Sequence, residues 1–546
     1  MLKRLFRQHI ESITTAAVFV ALSSLASRLL GVWRDRVLAG TFGAGPELDM
    51  YYAAFRIPDL IFNLLVLGAL SAGFIPVFTK IIKDMKCNDK FCYTDSPNKE
   101  AWELANNVLN VVVLVLLGIS LFGITLAPLV THFIVPGFSG EEKNITIILT
   151  RIMFLSPIFL AISGVLGGIL QSFKRFLIFS LAPIMYNVGI IIGAIFFVPH
   201  MGLYGLAWGV VLGAFLHAII QIPTVRSLGF RYKLFIKFCD QNLRQIMKMM
   251  IPRTLSLAIS QINLVVITII ASSLPGGALS AFNFANNLQS FPVGIFGISF
   301  AVAAFPALAE YAFNEKKLIE NFSRTVRQIL FFVIPSTALL IILRAQIIRV
   351  VLGSGQFDWQ ATVLTMDSLG FFAISLFAQA LIPLLVRVFY ARQNSRTPFF
   401  IGLISVVANI VLSIPLSHKF GASGLALAFS LANILNFVLL WLVLSLRLGD
   451  LDEKKIIISV LKFVGATLAG GGVAQFMKSF IWPAVDMSKF SGVFLQGLIA
   501  GSSGLLIYIL ICYLLKSEEY YEFLNSLKKR LPWTKVKTDD QGEARI

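Results

Sequence analysis

Ser27-Arg28-Leu29-Leu30-Gly31-Val32-Trp33-Arg34-Asp35 closes an apolar run that begins near Ile13, and most of the remaining chain consists of further runs of the same kind. About 20 apolar residues are what a helix needs to cross a hydrocarbon core of roughly 30 Å. An arginine at membrane depth costs on the order of 2.5–3.5 kcal/mol on insertion scales, so it faces a wet cavity and meets a partner. This one stretch therefore implies a membrane-spanning fold and a site within it. The run is longer than the apolar core of a signal peptide and continues straight into Arg28 and Arg34, so it reads as a span.

Composition agrees. With 57% hydrophobic and 14% charged residues over 546 positions, too little polar surface exists to cover a soluble globule. About 14 runs are long enough to span. Period-2 alternation is absent, so helices rather than a barrel satisfy the backbone. The net charge of +18 raises a nucleic-acid reading, but the cations lie in short gaps between apolar runs rather than on a basic soluble face. Nucleic acid is excluded as a partner on that ground.

Lysine and arginine in short loops stay cytoplasmic. Alternate loops carry Lys80 to Lys99, Lys174 and Arg175, Arg226 to Arg253, Lys316 to Arg327, Arg387 to Arg396 and Arg447 to Lys462, and the tail from Lys516 to Arg545 adds more. Both termini are thus expected in the cytoplasm. Two basic amphipathic stretches, Arg231 to Met250 and Tyr520 to Trp533, read as membrane-surface helices on anionic lipid, and the residues after Thr534 read as disordered.

The chain shows no enzyme chemistry. His9, His132, His200, His217 and His418 form no H-x-x-x-H pair, and no phosphate-binding loop or nucleophile elbow occurs. Cys87 and Cys92 are spaced C-x4-C without a second ligand pair, and with Cys239 and Cys512 they read as reduced thiols on the cytoplasmic side rather than a metal site. No cofactor and no metal are expected.

An internal repeat shows through. Gln171 to Arg175, a span holding Asn187, and Gly202-Leu203-Tyr204-Gly205-Leu206-Ala207 have a counterpart in Arg392 to Arg396, a span holding Asn409, and Gly421-Ala422-Ser423-Gly424-Leu425-Ala426. The second and eighth spans also end alike, in prolines Pro76 and Pro306. An even number of helices separates the copies, so the expected fold is all-α with two parallel six-helix lobes around a central cavity plus two C-terminal helices. Its boundaries fall at 1–230, 231–448 (a surface helix and the next six spans), 449–516 and a tail at 517–546. Pro58, Pro157, Pro183, Pro292, Pro335 and Pro383 lie inside spans, where each removes a backbone donor. Duplicated bundles of this kind are typical of transporters that rock around a midplane site.

The residues resemble the MurJ (MviN) lipid II flippases of the multidrug/oligosaccharidyl-lipid/polysaccharide exporter superfamily. The likeness rests on Ser27 to Gly31 with Arg34-Asp35, Phe42-Gly43-Ala44-Gly45, Asp49, Ala54-Phe55-Arg56-Ile57-Pro58, Gly68 to Ser71 and Phe74-Ile75-Pro76. It returns at Phe291 to Gly297, Gly355-Gln356-Phe357-Asp358, Phe389 to Gln393 and Thr397-Pro398. What it implies is a fourteen-helix flippase that moves an undecaprenyl-pyrophosphate-linked disaccharide-pentapeptide from the inner to the outer leaflet of the bacterial cytoplasmic membrane for peptidoglycan assembly. By the same likeness, the first, second, seventh and eighth helices line a cationic cavity and the last two form a groove at 449–516 for the lipid tail.

A pyrophosphate suits arginine, whose planar guanidinium pairs with phosphate oxygens in bidentate fashion. The expected substrate-binding set is Ser27, Arg28, Arg34, Asp35, Asp49, Arg56, Asn286 and Asn287, with hinges at Gly31, Pro58 and Pro292. On an ideal helix Arg28 and Asp35 share a face while Arg34 lies about 120° away, so both arginines reach one ligand only if the helix bends near Gly31 or the cavity is wide. Anchoring at the outer interface, with Arg34 and Arg36 paired to Asp35 and Asp49, is the plainer alternative.

The chain also departs from the family pattern. An arginine expected four residues past Pro58 is Phe62, an acidic residue beyond it is Leu67, and an Asp-Arg pair followed by Glu in the eighth helix is Asn286-Asn287 and Ser290. These changes leave open a flippase for another polyprenyl-linked oligosaccharide. A cation or drug antiporter of the MATE type should carry carboxylates rather than Arg28 deep in its cavity, and a non-transporting scaffold for cell-wall synthesis enzymes would dispense with Arg28 and Arg34. An inside-negative membrane favours outward movement of a negative charge by about 2.3 kcal/mol per 100 mV, so export of an anionic headgroup is expected to draw on the potential.

Overall fold

The computed structural model describes residues 13–84 and 99–530, and among these every regular element is helical. The first long helix, α1 (Ile13–Phe42), is followed by α2, which runs from Pro46–Phe62 through a π-helical stretch, Asn63–Leu70, into Ser71–Asp84. Then come α3 (Lys99–Ile134), α4 (Gly140–Ser172), α5 (Phe176–Met201), α6 (Leu203–Ser227), α7 (Gln241–Ser272), α8 (Ala278–Glu310) and α9 (Glu315–Ile342). A bent pair, α10 (Trp359–Ile374 and Leu376–Ala391), precedes α11 (Arg396–Phe420), α12 (Ala422–Leu448), α13 (Glu453–Ala484), α14 (Phe490–Leu514) and the short amphipathic α15 (Glu518–Arg530). Among the described residues ten helices are long and apolar enough to cross a membrane, or eleven with the pair bent by 47°. The other expected spans fall on α1, α2 and α7, long helices outside that set.

Contacts gather the described chain into two compact units, each discontinuous in sequence. One holds the chain up to Phe291 with Ile348–Phe372 and Phe399–Leu435; the other holds Pro292–Ile347, Ala373–Pro398 and the chain from Asn436 on.

In the first unit α5 and α6 approach until their backbones touch. A Cβ on Gly189 would meet the backbone of Gly213, one on Gly193 the backbone of Gly209, and one on Gly205 the backbone of Phe197 and Val198. Lipid tails give helices no hydrophobic reason to associate, so close backbone packing through small residues supplies the attraction.

The repeat is visible as geometry. Lys174 and Gln393 both take φ 57°, each at the end of a helix, and the next residues, Arg175 and Asn394, donate from their amides to carbonyls five residues back at 2.8 and 2.9 Å. Gly202 and Gly421, at φ 57° and 60°, make the matching turns into α6 and α12. The same offset relates all these pairs, whereas Asn187 and Asn409 fall slightly out of that register. Gly202 and Gly421 sit where a side chain would be strained, because left-handed backbone favours glycine. A second echo joins α2 and α8. Each carries a π-helical stretch, Asn63–Leu70 and Val293–Ile298, shortly after an in-helix proline, Pro58 and Pro292.

Helix α1 passes through Gly31 without a helical break, and a Cβ there would meet nothing within 4 Å. The widened π turns next to Pro58 and Pro292 are where these helices depart from regular α geometry.

The surface helix expected from Arg231 starts only at Gln241, where the Asp240 carboxylate caps the Leu243 amide at 3.0 Å and the helix then runs on as α7. Residues 231–240 form an irregular strap instead. Three asparagines on α3 compete for its backbone: Asn106 accepts from the Lys233 amide and donates to Arg231 O, Asn107 brackets Lys237, and Asn110 donates to Lys233 O and Phe235 O. These bonds hold the strap extended. The second stretch, expected from Tyr520, is helical as α15 as far as Arg530. Cys87, Cys92 and the tail beyond Arg530 lie outside the described residues.

Candidate functional site: an arginine and asparagine cluster

The first turn of α2 is fixed before any ligand is considered. Asp49, 2% exposed, accepts from the amides of Gly277 and Ser280 at 2.7 Å each and from the Ser280 hydroxyl. It thereby caps the N-terminus of α8, where the helix dipole and free amides favour an anion. Glycines allow the turns around this contact to close. A Cβ on Gly277, at φ 92°, would strike Ala44 O, and one on Gly355, at φ 52°, would strike Gly40 O. Two motif fragments far apart in sequence are thus one contact, sealed by the Gln356 amide on Gly40 O at 2.9 Å.

On α1, Arg34 donates from Nε and Nη2 to one oxygen of Asp35, at 3.0 and 2.7 Å, and from Nη1 to Asn187 Oδ1 on α5 at 3.2 Å. The second Asp35 oxygen accepts from Asn287 Nδ2 on α8 at 2.9 Å. Three helices therefore meet on one ion pair whose carboxylate side chain is 7% and guanidinium side chain 24% exposed. The guanidinium is the accessible partner.

Arg56 lies on α2 and is buried. It donates from Nε to Thr268 Oγ1 on α7 at 2.9 Å and from Nη2 to Asn283 Oδ1 on α8 at 3.5 Å. Both acceptors are neutral, and among the described residues no carboxylate comes within ion-pair distance of it. Asp59, one turn on, influences it only through space. A buried cation served by neutral acceptors is the arrangement a membrane protein avoids unless an anion visits.

Of the expected site residues, the structure brings Arg34, Asp35 and Asn287 together and ties Arg56 to the same helix through Asn283. Asp49 is not with them, since its oxygens are committed to the cap. Asn286 accepts from Gln289 Nε2 at 3.0 Å on its own helix. Ser27 and Arg28 are half-buried and have no hydrogen-bond or ion-pair partner among the described residues. Arg36 reaches a helix end. It donates to Val350 O and Val351 O at 2.6 and 3.2 Å, closing the C-terminus of the short helix Arg344–Val351. Phe62, where the family pattern has an arginine, packs with Val66, Leu116 and Ala161 in an apolar cluster.

Asn187, Thr268 and Asn283 were missed as site residues. Asn187 stood out in the sequence only as a marker of the repeat. Asn283 precedes Asn287 by one helical turn, a spacing that sets both amides on one face.

Comparison with known proteins bears on all of this. The family model "Lipid II flippase MurJ" matches residues 38–493. A probable lipid II flippase MurJ of Rhizobium tropici is 30% identical over 449 residues, which is 80% of this chain and 81% of that protein. One of Vibrio cholerae is 28% identical over 491 residues, covering 87% and 91%. The fold is similar to that of a lipid II flippase MurJ solved in an inward closed conformation, with TM-score 0.75, 24% identity and coverage of 93% and 100%. It is also similar to that of an inward-facing multidrug resistance MATE family transporter of the MOP superfamily, with TM-score 0.62, 15% identity and coverage of 80% and 99%. At these identities the two structures speak for the fold.

Proposed function

The chain belongs to the MurJ lipid II flippase family, and from that premise we propose that its Arg34–Asp35–Asn187–Asn287 cluster and Arg56 receive the pyrophosphate of lipid II on its way from the inner to the outer leaflet. The observation that carries this reading is Arg56: a buried guanidinium whose hydrogen-bond partners are neutral, on a helix that meets α7 and α8. An anion arriving there would gain charge-assisted hydrogen bonds without first breaking an ion pair. Arg34 differs in that Asp35 already neutralises it, so it contributes geometry and spare donors more than net charge. Arg28, half-buried and unpaired among the described residues, is a third cation open to the substrate.

The sign of these charges favours an anionic cargo over the cationic cargo of a MATE-type antiporter. The family is one of lipid flippases, so the cycle is read as transport. The two related halves, 1–230 and 231–448, alternate access, and residues 449–516 offer the groove for the polyprenyl tail. The protein sits in the bacterial cytoplasmic membrane with both termini inside, among membrane lipids and with cell-wall synthesis enzymes as partners for the exported product. Since the exported headgroup is negative, an inside-negative potential assists the step.

A second substrate reading is favoured by particular residues. Phe62 and Asn286-Asn287 replace charges of the family pattern, so fewer cations contact the headgroup and another polyprenyl-linked oligosaccharide would fit the remaining set.

The test is flipping of labelled lipid II in sealed vesicles by the full chain, with Arg28→Ala, Arg34→Ala and Arg56→Ala alongside. Each is expected to reduce transport, Arg56→Ala most, and to fail to support growth of a flippase-depleted bacterium. Wild-type transport by Arg56→Ala protein would sink the reading. Faster movement of a different polyprenyl-linked sugar would select the second substrate.

A further inference from the structure

Away from the arginine cluster, a cavity of about 420 Å³ opens in the second unit beside Arg392 and Arg447, and a larger one of about 720 Å³ opens in the first beneath the 231–240 strap. The larger is the more specific. Its walls are Leu109 and Val113 of α3, Ile162 and Leu166 of α4, and Val225 and Phe230 at the end of α6. Its size lies within the roughly 300–1,000 Å³ range of small-molecule sites.

The polar lining of this cavity is Asn110, Arg226, Arg231 and Tyr232. Arg226 and Arg231 line it, both are exposed, and neither has a carboxylate within ion-pair distance among the described residues. No acidic residue lines the cavity. Asn110 also lines it, but its amide is spent on the carbonyls of Lys233 and Phe235. The asparagine ladder therefore works on the cavity's own rim: by fixing the strap it fixes Arg231 and Tyr232 beside Arg226. Tyr232 and Leu234 on the strap are 61% and 79% exposed, as expected of side chains that lie in a membrane interface.

We infer that this cavity is a binding site for a membrane phospholipid with an anionic headgroup, one acyl chain lying against Leu109, Val113, Ile162 and Leu166 and the phosphate between Arg226 and Arg231. Charge complementarity selects the occupant. A neutral apolar ligand gives no use to two unpaired arginines, and a free anion gives no use to an apolar chamber of this volume. The site is independent of the transported substrate, because none of its residues belongs to the Arg34 or Arg56 clusters.

The experiment uses the full chain, purified and delipidated in detergent, titrated with phosphatidylglycerol or phosphatidylethanolamine of identical acyl chains and read by native mass spectrometry and by thermal unfolding. Phosphatidylglycerol should bind at least about tenfold more tightly, since each interfacial cation is worth about 1 kcal/mol toward an anionic lipid surface. The double variant Arg226→Gln/Arg231→Gln should abolish that preference while keeping the lipid-free unfolding temperature. Val113→Trp, which fills the chamber, should weaken both lipids. Equal binding of the two lipids, or an unchanged preference in the double variant, overturns the site. Displacement of phosphatidylglycerol by an equal concentration of inorganic phosphate overturns the lipid as its occupant.

Discussion

Asn287 on α8 donates to one oxygen of Asp35 on α1 at 2.9 Å, while Arg34 takes the other oxygen at 2.7 Å. The carboxylate thus joins two helices and holds a guanidinium in place, and Asn287 is the partner that can be exchanged without touching the ion pair. Asn287→Leu leaves a buried carboxylate oxygen without a donor. Hydrogen bonds to charged groups contribute about 1.5–3 kcal/mol, so a loss of that order is expected in thermal unfolding, together with slower flipping. Asn287→Asp should be worse, because it sets a second negative charge against Asp35. Wild-type stability and transport in the Asp variant would show that this contact does not hold the site.

Asp49 makes a different forecast from Arg56 although both are buried on α2. Its bonds all go to Gly277 and Ser280 at the start of α8, so Asp49→Ala should lower stability by roughly 0.5–2 kcal/mol, the range for a lost helix cap, and more if the amides stay dry. Asp49→Asn should recover part of it. At equal amounts of folded protein, the concentration dependence of transport should not change, and a change there would return Asp49 to the substrate-binding set.

Glu519 in the first turn of α15 is buried and ties this helix down. It accepts from Arg327 on α9 at 2.6 Å, from Ser459 on α13 at 2.9 Å and from Ser517 at 2.6 Å. Burial alone would raise its pKa, but the serine hydrogen bonds and the Arg327 charge outweigh it, and the carboxyl is held below its ordinary value of 4.5. A depressed folded-state value means the contribution is complete above the unfolded pKa and is lost as pH falls through the folded one. Docking of α15 should therefore hold at neutral pH and loosen only below about pH 4.5. Glu519→Gln should loosen it already at neutral pH, by less than the roughly 3–5 kcal/mol of a fully broken buried pair, because Arg327 keeps the exposed Glu518 at 3.0 Å. Hydrogen exchange across 518–525 reads this directly, and equal protection in the two proteins at pH 7 would refute it.

How much of this was legible in advance depends on whether the cause is local. Arg34 and Asp35 stand out because charge at membrane depth is expensive wherever the helix goes, and the turns at Gly202 and Gly421 stand out because the motif carries its own glycines. Asn187 and Asn283 do not, since an asparagine in a membrane helix serves equally well as helix-to-helix glue, and only packing decides which acceptor it meets. Asp49 looked like a partner for arginine, but its partners are backbone amides, which leave no mark in a sequence. The strap from Arg231 has the composition of a surface helix; what holds it extended is a set of asparagines 123 to 130 positions earlier, a relation no local pattern contains.

That ladder can be taken apart by residue. Asn107 brackets Lys237 by accepting from its amide at 2.8 Å and donating to its carbonyl at 3.0 Å, while Asn110 serves Lys233 and Phe235. Asn107→Leu should raise hydrogen exchange around 237 and leave 231–233 protected, and Asn110→Leu should loosen the middle of the strap. The double variant should free the strap from 234 on and leave 231–233 held by Asn106. Since each lost partner leaves a backbone group to be rehydrated, each single change should cost about 1–3 kcal/mol locally. Unchanged protection from 234 to 240 in the double variant would mean that something other than Asn107 and Asn110 holds that part of the strap.

The α5–α6 contact gives the sharpest steric test. Gly205, Gly209 and Gly213 recur every fourth residue on α6, and a Cβ at Gly209 would come 2.7 Å from the Cα of Gly193. Backbone cannot yield as a flexible side chain does, so Gly209→Ala must push the helices apart, which also moves Asn187 on α5 away from Arg34. Gly202→Ala is the control: its surroundings are open, and its φ of 57° makes the cost one of backbone strain without spreading the helices. Both variants should therefore lose stability, but only Gly209→Ala should also weaken transport at matched folded protein. If Gly202→Ala impairs transport equally, the α5–α6 spacing is not what positions Asn187 against the arginine.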